Sequence, residues 1–227
     1  MNNTRQLSKK LVIFTSLIII LLLSLFLINQ MNQKSENPAM VFEDAPVTEN
    51  QPTLGSKESK VSIVEFGDFK CPSCKAWEEE MKPRITKDFI ETGKASFSYI
   101  NVLFHEEESR TGALAAEAIW IQDPEAYWTF HKELFNAQPQ TEQHDELWLT
   151  SEKVLEIAKQ FTPTIYLQKL ENDMKSMQIQ EQVNIDNELV LKYNVQQTPT
   201  IMINNVMVSN PFDYDEISSL INAQLKE

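Results

Sequence analysis

Residues 61–74 read VSIVEFGDFKCPSC and contain both cysteines of the 227-residue chain. The first six residues are almost all apolar, which is typical of a central strand covered on both faces of a sheet. Cys71 and Cys74 follow where this strand gives way to a helix. The stretch therefore predicts a buried strand and then a helix that begins with two thiols.

The position of the two thiols at a helix start predicts redox chemistry. Free backbone N–H groups and the helix dipole stabilise a thiolate there, so we expect the pKa of Cys71 to lie below its usual range. Cys71 is the predicted nucleophile, and Cys74 is the thiol that completes the exchange. Pro72 suits the first helical turn because its missing N–H is not needed. The motif indicates thiol–disulfide exchange.

Two other uses of this cysteine pair are possible. A zinc site needs four ligands, but His105, His131 and His144 are too far apart in sequence to complete one with the cysteines. A purely structural disulfide is the second alternative. It would close so short a loop that it would stabilise the fold only slightly.

An uncharged, apolar segment at residues 11–28 predicts a membrane span. Arg5, Lys9 and Lys10 precede it, and the next basic residue is Lys34, so the N-terminus is predicted to stay in the cytoplasm. A cleaved signal peptide is the alternative, but its apolar region is usually shorter and ends in small residues. The sequence favours an uncleaved signal anchor in the cell membrane, with the remaining chain outside the cytoplasm.

The net charge of the chain limits the classes of partner that it can bind. The 33 acidic residues exceed the 20 basic ones and give a net charge of −13, which argues against binding to nucleic acid.

The predicted location outside the cytoplasm bears on the redox chemistry. No glutathione pool reduces disulfides there, so an exported cysteine pair is free to act as an oxidant.

The hydrophobic pattern divides the chain into segments. A second strand is expected over residues 97–104, helices over 110–193, and a hairpin that turns at Asn204-Asn205 before a last helix at 214–225. We predict a cytoplasmic N-terminus (1–10), a transmembrane anchor (11–28), a linker (29–51), the first half of an α/β domain (52–109), a helical insertion (110–193) and the second half (194–227).

This order of elements resembles the DsbA-like thiol oxidoreductases, and in detail the membrane-anchored disulfide bond formation protein D type of Gram-positive bacteria. The resemblance rests on residues 64–75 (VEFGDFKCPSCK), Phe104-His105, Ser109-Arg110, Phe130-His131 and Gln197-Thr198-Pro199-Thr200. It implies an α/β fold of the thioredoxin type with an all-helical insertion, preceded here by a single N-terminal transmembrane helix.

The resemblance also assigns the residues around the cysteines. Pro72 and Ser73 separate the two thiols, and a cis Thr198–Pro199 bond is implied to pack against the disulfide. The backbone of Thr198 would then offer hydrogen bonds to an extended substrate segment, as in strand addition.

Glu65 lies six residues before Cys71 on the predicted strand, where burying a carboxylate is costly. The resemblance implies that this acid exchanges a proton with Cys74, a role that a raised pKa would suit. The alternative is a carboxylate at the strand end that points to solvent. His105 and His131 are expected to be structural.

The chemistry requires no cofactor, but the resemblance suggests a structural calcium ion. The sequence contains no EF-hand pattern. Some oxidases of this group carry calcium between the thioredoxin core and the helical insertion, and the matching positions here are Gln51, Glu117 and Asp186. The alternative is that these three residues are ordinary surface acids and an ordinary surface amide.

Together these features predict an extracytoplasmic thiol oxidase that introduces disulfide bonds into reduced exported proteins. An integral-membrane quinone reductase is the implied re-oxidant. A reductase or isomerase that uses the same sulfurs in the opposite direction is one alternative. A non-catalytic, membrane-tethered binding or chaperone module with a stabilising disulfide is another.

Overall fold

The computed structural model describes residues 14–24, 39–139 and 146–226. The chain divides into two units, residues 1–38 and 39–227. In the first unit, residues 14–24 are helical. None of the helices within the described ranges is long and apolar enough to cross a membrane. The remainder of the predicted span, the predicted cytoplasmic segment 1–10 and residues 29–38 of the predicted linker lie outside the described residues.

A mixed sheet of six strands forms the centre of the second unit, in the order β1-β6-β5-β3-β4-β2. The two longest strands, β3 and β4, are parallel, and the other neighbouring pairs are antiparallel. The strands are β1 (Met40–Val41), β2 (Thr53–Leu54), β3 (Val61–Gly67), β4 (Ala95–Asn101), β5 (Thr200–Ile203) and β6 (Val206–Met207).

Eight α-helices accompany the described strands, and five of them lie between β4 and β5 in the chain. They are α1 (Pro72–Glu80), α2 (Lys82–Ile85), α3 (Glu106–Gln122), α4 (Pro124–Asn136), α5 (Ser151–Phe161), α6 (Leu167–Asp173), α7 (Met177–Lys192) and α8 (Tyr214–Lys226). A π-helical segment, Thr86–Ile90, follows α2. The insertion α3–α7 is all-helical, as the sequence predicted.

Three apolar clusters hold these elements together. One lies between the sheet, α1 and α8 and includes Trp77, which stacks on Phe97 with ring centroids 5.8 Å apart. A second joins β3, β4 and β5 to the end of α7. The third and largest joins the helical insertion to Phe69, Cys71 and Cys74. The reactive sulfurs therefore lie at the junction of the sheet and the insertion.

Several element bounds differ from the prediction. The helix after the cysteines ends at Met81, and Pro83 lies in the first turn of the next helix, α2, where its missing N–H is not needed. Strand β4 ends at Asn101 rather than at residue 104, and the helices resume at Glu106 rather than at residue 110. Apart from the linker, the division of the chain into the predicted segments stays a prediction.

The linker prediction is wrong for residues 39–51. Met40 and Val41 pair with Met207 and Val206 and make β1 an edge of the sheet. Phe42 then packs edge-on against Tyr193, with ring centroids 5.1 Å apart. The folded unit thus begins about a dozen residues before the predicted start at Pro52.

Candidate active site

Cys71 occupies the N-cap position of α1, directly after the loop that leaves β3. Its backbone is extended, with φ −71° and ψ 121°, and no side chain caps the helix. The first N–H groups of α1 are therefore available to the Cys71 sulfur. Cys71 keeps 8% of its surface exposed, whereas Cys74 is fully buried. Of the two thiols, only Cys71 reaches the molecular surface.

The surroundings give the two thiols opposite pKa shifts. A hydrogen bond with Cys74 lowers the pKa of Cys71 to about 6, against the opposing effect of burial, and Thr198 and the N–H groups of Cys74 and Ser73 contribute. Burial, and then the bond to Cys71, raise the pKa of Cys74 well above its usual range. Near neutral pH the first sulfur is a thiolate and the second a thiol.

The Thr198–Pro199 peptide bond is cis, which confirms the prediction. Strand β5 brings it to the thiols, because Thr200 pairs with Phe66 of β3. In its protonated form, Cys71 Sγ donates to the Thr198 carbonyl at 3.4 Å. That bond to the carbonyl favours the thiol, so the low pKa of Cys71 reflects the hydrogen bonds from Cys74, from the Thr198 side chain and from the N–H groups on α1.

Glu65 is fully buried on the central strand, so the solvent-facing alternative is wrong. Neither carboxylate oxygen has a hydrogen-bond partner among the described residues. Burial, together with the negative charge of Glu78, raises the pKa of Glu65 well above its usual range, and the charge of Lys82 opposes this effect. The charge of Glu65 in turn raises the pKa of Cys74. Glu65 is thus a buried acid that holds its proton more firmly than a free carboxyl does, and it interacts with the buried sulfur.

Asp68 and Ser109 belong to the site, although the sequence analysis assigned neither a role. The buried carboxylate of Asp68 accepts from His105 Nδ1 at 2.7 Å, from Ser109 Oγ at 2.8 Å and from the Lys70 N–H at 2.9 Å. The N–H of Asp68 points to Cys74 Sγ at 3.4 Å. The Phe104-His105 and Ser109-Arg110 motifs supply two of these partners.

The helical insertion also holds the loop before Cys71. Gln138 Nε2 donates to the carbonyl oxygens of Phe69 at 2.8 Å and Cys71 at 3.2 Å. Lys70 forms a buried ion pair with Glu108. The backbone of the reactive loop is therefore fixed by side chains from a different part of the fold, which no local pattern in the sequence indicated.

His131 lies within an aromatic cluster and is fully buried. Its ring meets Tyr99 edge-on at 4.6 Å between centroids, and its Nδ1 lies 3.6 Å from Glu78 Oε2. Burial lowers the pKa of His131 well below its usual range. A neutral histidine in an aromatic core agrees with the expected structural role.

Comparison with known proteins identifies the family. Residues 47–223 match the thioredoxin family. Disulfide bond formation protein D of Bacillus subtilis is 41% identical to this chain over 195 residues, which is 86% of each protein. The chain belongs to the disulfide bond formation protein D family. A probable disulfide bond formation protein D of Bacillus anthracis is 36% identical over 177 residues, 78% of this chain and 79% of that protein.

Solved structures agree with this family. The crystal structure of oxidised BdbD from B. subtilis matches 84% of this chain and all of that chain, with a TM-score of 0.77 and 41% identity. DsbA of Chlamydia trachomatis matches 78% of this chain and 93% of its own, with a TM-score of 0.67. At 24% identity, that second match concerns the fold alone. The thioredoxin-like fold with DsbA-like character is therefore established.

The residues that the family resemblance linked to calcium do meet in the fold. Asp186 is buried and accepts from Gln51 Nε2 at 2.7 Å and from Asn101 Nδ2 at 2.7 Å. Asn101 Nδ2 also lies 2.8 Å from Glu117 Oε1. These four side chains, which we call the acid–amide cluster, join β4 to α3 and α7. No pattern in the sequence indicated Asn101.

The chemistry of the acid–amide cluster fits a hard cation. Burial raises the pKa of Asp186 to about 7 and that of Glu117 well above its usual range, and the charge of Asp186 raises the latter further. Gln51 Oε1 and Asn101 Oδ1 are buried with no partner in the described ranges. Two carboxylates and two free amide oxygens are ligands that calcium prefers. No group of three or more His, Cys, Asp or Glu within the described ranges could hold a metal, so the amides would be essential.

Proposed function

We propose that this chain is an extracytoplasmic thiol oxidase that introduces disulfide bonds into reduced exported proteins. The observation that supports the proposal is the difference between the two thiols. The pKa of Cys71 is lowered to about 6, and the pKa of Cys74 is raised well above its usual range. A stabilised thiolate favours the reduced form of the pair and thereby makes its disulfide oxidising. The related B. subtilis protein is named for disulfide bond formation.

In the first step, a substrate thiolate attacks Cys71 Sγ of the oxidised enzyme, because Cys71 is the sulfur that reaches the surface. A substrate–Cys71 disulfide forms, the Cys71–Cys74 bond breaks, and the Cys74 sulfur leaves with the bonding electrons. Because the pKa of Cys74 is raised, the leaving sulfur takes up a proton. Glu65, whose pKa is also raised, supplies that proton.

In the second step, the other substrate thiolate attacks the substrate sulfur of the mixed disulfide and releases Cys71 as a thiolate. A leaving thiol of low pKa departs quickly, so the pKa of about 6 favours this step. The exposed backbone beside Thr198 would bind the substrate in an extended form. Two electrons pass from the substrate to the enzyme, which ends as a dithiol.

The reduction potential of the pair tests this direction. The full-length chain would be equilibrated with glutathione redox buffers in detergent and its thiols then alkylated and counted. An oxidase predicts a potential near about −120 mV or a little below, whereas a value near about −270 mV, as in thioredoxin, would favour the reductase alternative.

A substrate assay separates the oxidase from a non-catalytic module. The oxidised chain is expected to convert a reduced two-cysteine peptide to its disulfide, and Cys71→Ala to lose all turnover. If Cys71→Ala kept the full effect of the wild type, a binding or chaperone module would replace the oxidase.

Re-oxidation and location form a further part of the proposal. Each cycle leaves a dithiol, so an electron acceptor is needed, and an integral-membrane quinone reductase fits an enzyme tethered by residues 11–28. The apolar composition of that segment supports a single-pass anchor with the catalytic domain outside the cytoplasm. Membrane fractionation with alkaline extraction tests the anchor, and protease treatment of spheroplasts tests the side on which the domain lies.

We also include a calcium ion at the acid–amide cluster. The positive charge of the ion would offset the negative charges of Glu117 and Asp186, and the oxygens of Gln51 and Asn101 would complete the ligands. The ion would stabilise the junction between β4 and the helical insertion and would take no part in electron transfer.

A further inference from the structure

His105 lies where β4 leads into α3, on the side of that loop that meets the reactive cysteines. Its N–H donates to Ser109 Oγ at 2.9 Å, which fixes the backbone at the start of α3. The side chain remains 38% exposed, so solvent and protons reach the ring. The reaction steps above assign no task to this residue.

Asp68 connects His105 to both sulfurs. Its carboxylate holds His105 Nδ1 at 2.7 Å. Its backbone carbonyl accepts from the Cys71 N–H at 3.0 Å, and its own N–H points to Cys74 Sγ at 3.4 Å. The imidazole is thus fixed against the loop that carries both cysteines, and it cannot turn away without breaking the bond to a buried carboxylate.

The charges of His105 and Cys71 act on each other. The hydrogen bond to Asp68 raises the pKa of His105, burial opposes this, and the negative charges of Asp68 and Cys71 raise it further. Such a coupling is reciprocal, so an imidazolium stabilised by the thiolate also stabilises the thiolate. Pro72 and Ser73, which separate the cysteines, bring no charge of their own.

We propose that His105, held on Asp68, is a positioning residue whose imidazolium stabilises the Cys71 thiolate and increases the oxidising power of the Cys71–Cys74 disulfide. This inference rests on the proposed oxidase function and adds to it the charge that tunes the potential. The effect is smaller than that of the α1 donors, because the ring acts across the loop and is partly exposed to solvent.

The sign of the pH dependence follows from the groups that face the ring. The imidazolium is present below the raised pKa of His105, and its contribution is lost as the pH rises through that value. Groups from the loop before α1 are Asp68, Lys70 and Cys71, and Lys70 opposes protonation of His105. Its own helix contributes the acids of the first turn, Glu106, Glu107 and Glu108.

The first test replaces His105 with glutamine in the full-length chain. His105→Gln keeps a donor for Asp68 and removes the titratable charge. We expect a higher Cys71 pKa by thiolate absorbance and a glutathione equilibrium constant about threefold less oxidising at pH 7, as for one partly screened charge. Lys94→Gln, at the opposite end of β4, is the matched control. It should change neither the Cys71 pKa nor the glutathione equilibrium constant. An unchanged Cys71 titration in His105→Gln would overturn the proposal.

A second measurement separates charge from structural support. If His105 acts on the thiolate, His105→Gln reduces the stability difference between the reduced and oxidised forms in urea unfolding. A merely structural residue would lower the stability of both forms equally, which would also overturn the proposal.

His105→Arg provides a test that does not depend on the glutamine variant folding. Its permanent charge should make the disulfide more oxidising than that of the wild type at pH 8.5 and similar to it at pH 6. The same pH dependence in both proteins would contradict the proposal. Failure of the wild-type chain to oxidise the two-cysteine peptide would instead contradict the oxidase function itself.

Discussion

Two sites in the same domain contain buried carboxyl groups, one beneath the reactive cysteines and one in the acid–amide cluster. The carboxyl groups of the two sites differ in their hydrogen-bond partners. Glu65 lies beneath the reactive sulfurs without a hydrogen bond in the described part of the chain, and its pKa rises well above its usual range. Asp186 accepts three hydrogen bonds from Gln51 and Asn101, and its pKa rises only to about 7. Hydrogen-bond donors oppose the effect of burial on the pKa of Asp186, whereas no donor in the described ranges opposes it at Glu65. Glu65 is suited to proton transfer, and Asp186 is suited to binding a cation.

The largest expected effect is on the stability of the acid–amide cluster. Asp186→Ala leaves three buried donors on Gln51 and Asn101 without an acceptor, and we expect a loss of about 3 kcal/mol in the free energy of unfolding. Urea unfolding measures it. Asp173→Ala, which removes a partly exposed carboxylate paired with Lys169, is the control and should cost less than about 0.5 kcal/mol. Equal losses would show that the donors around Asp186 contribute nothing.

Calcium should stabilise the wild-type chain by about 2.7 kcal/mol at a concentration one hundred times its Kd. The physical reason is that the ion binds the folded cluster and not the unfolded chain. Thermal unfolding with calcium and with a chelator measures the effect. Asp186→Asn should abolish the stabilisation by calcium. Glu65→Gln should keep it, because Glu65 is not part of the acid–amide cluster. A response lost in Glu65→Gln but kept in Asp186→Asn would reverse the two roles.

The redox state should change stability by a smaller amount. Lowering the pKa of Cys71 from 9.0 to about 6 stabilises the reduced form by about 1.4 kcal/mol at pH 7. Because the pKa is lowered in the folded state, this contribution is complete above about pH 9 and disappears as the pH falls through about 6. Unfolding of both redox forms at pH 5, 7 and 9 measures it.

The oxidised form has no thiol to titrate and serves as the internal control. A stability difference between the two forms that does not change between pH 5 and pH 9 would contradict the proposed thiolate.

The smallest stability effect is expected for Glu65→Gln, below about 1 kcal/mol, because burial favours the neutral form of the carboxyl, and neither of its oxygens has a hydrogen-bond partner among the described residues. Its rate of peptide oxidation should nevertheless fall by roughly tenfold, since the proton for Cys74 must come from elsewhere. Stopped-flow fluorescence follows the reaction. Glu171→Gln, on the exposed face of α6, should react like the wild type. An unchanged rate in Glu65→Gln would remove the acid from the mechanism.

The residues nearest the sulfurs were predictable because they follow one another in sequence or belong to a recurrent motif. The start of α1 at Pro72, the burial of Glu65 and the cis bond before Pro199 are all present in the structure. The start of α1 follows from the local sequence, whereas the buried acid and the cis bond were implied by the resemblance to the family.

Residues that act through distant contacts were not predictable. Gln138 reaches Cys71 across 67 positions and Asn101 reaches Asp186 across 85, and an isolated polar residue carries no periodic signal. Strand β1 was missed for a similar reason, because two residues are too few to show alternation. Its pairing with β6 becomes visible only when the sheet is assembled.

The two edges of the sheet, β1 and β2, both come from residues 40–54 and contain two residues each. Short edge strands offer few unpaired backbone groups, which protects a sheet from joining the sheet of a neighbouring molecule. An extended peptide therefore finds few free backbone groups along either edge of this sheet.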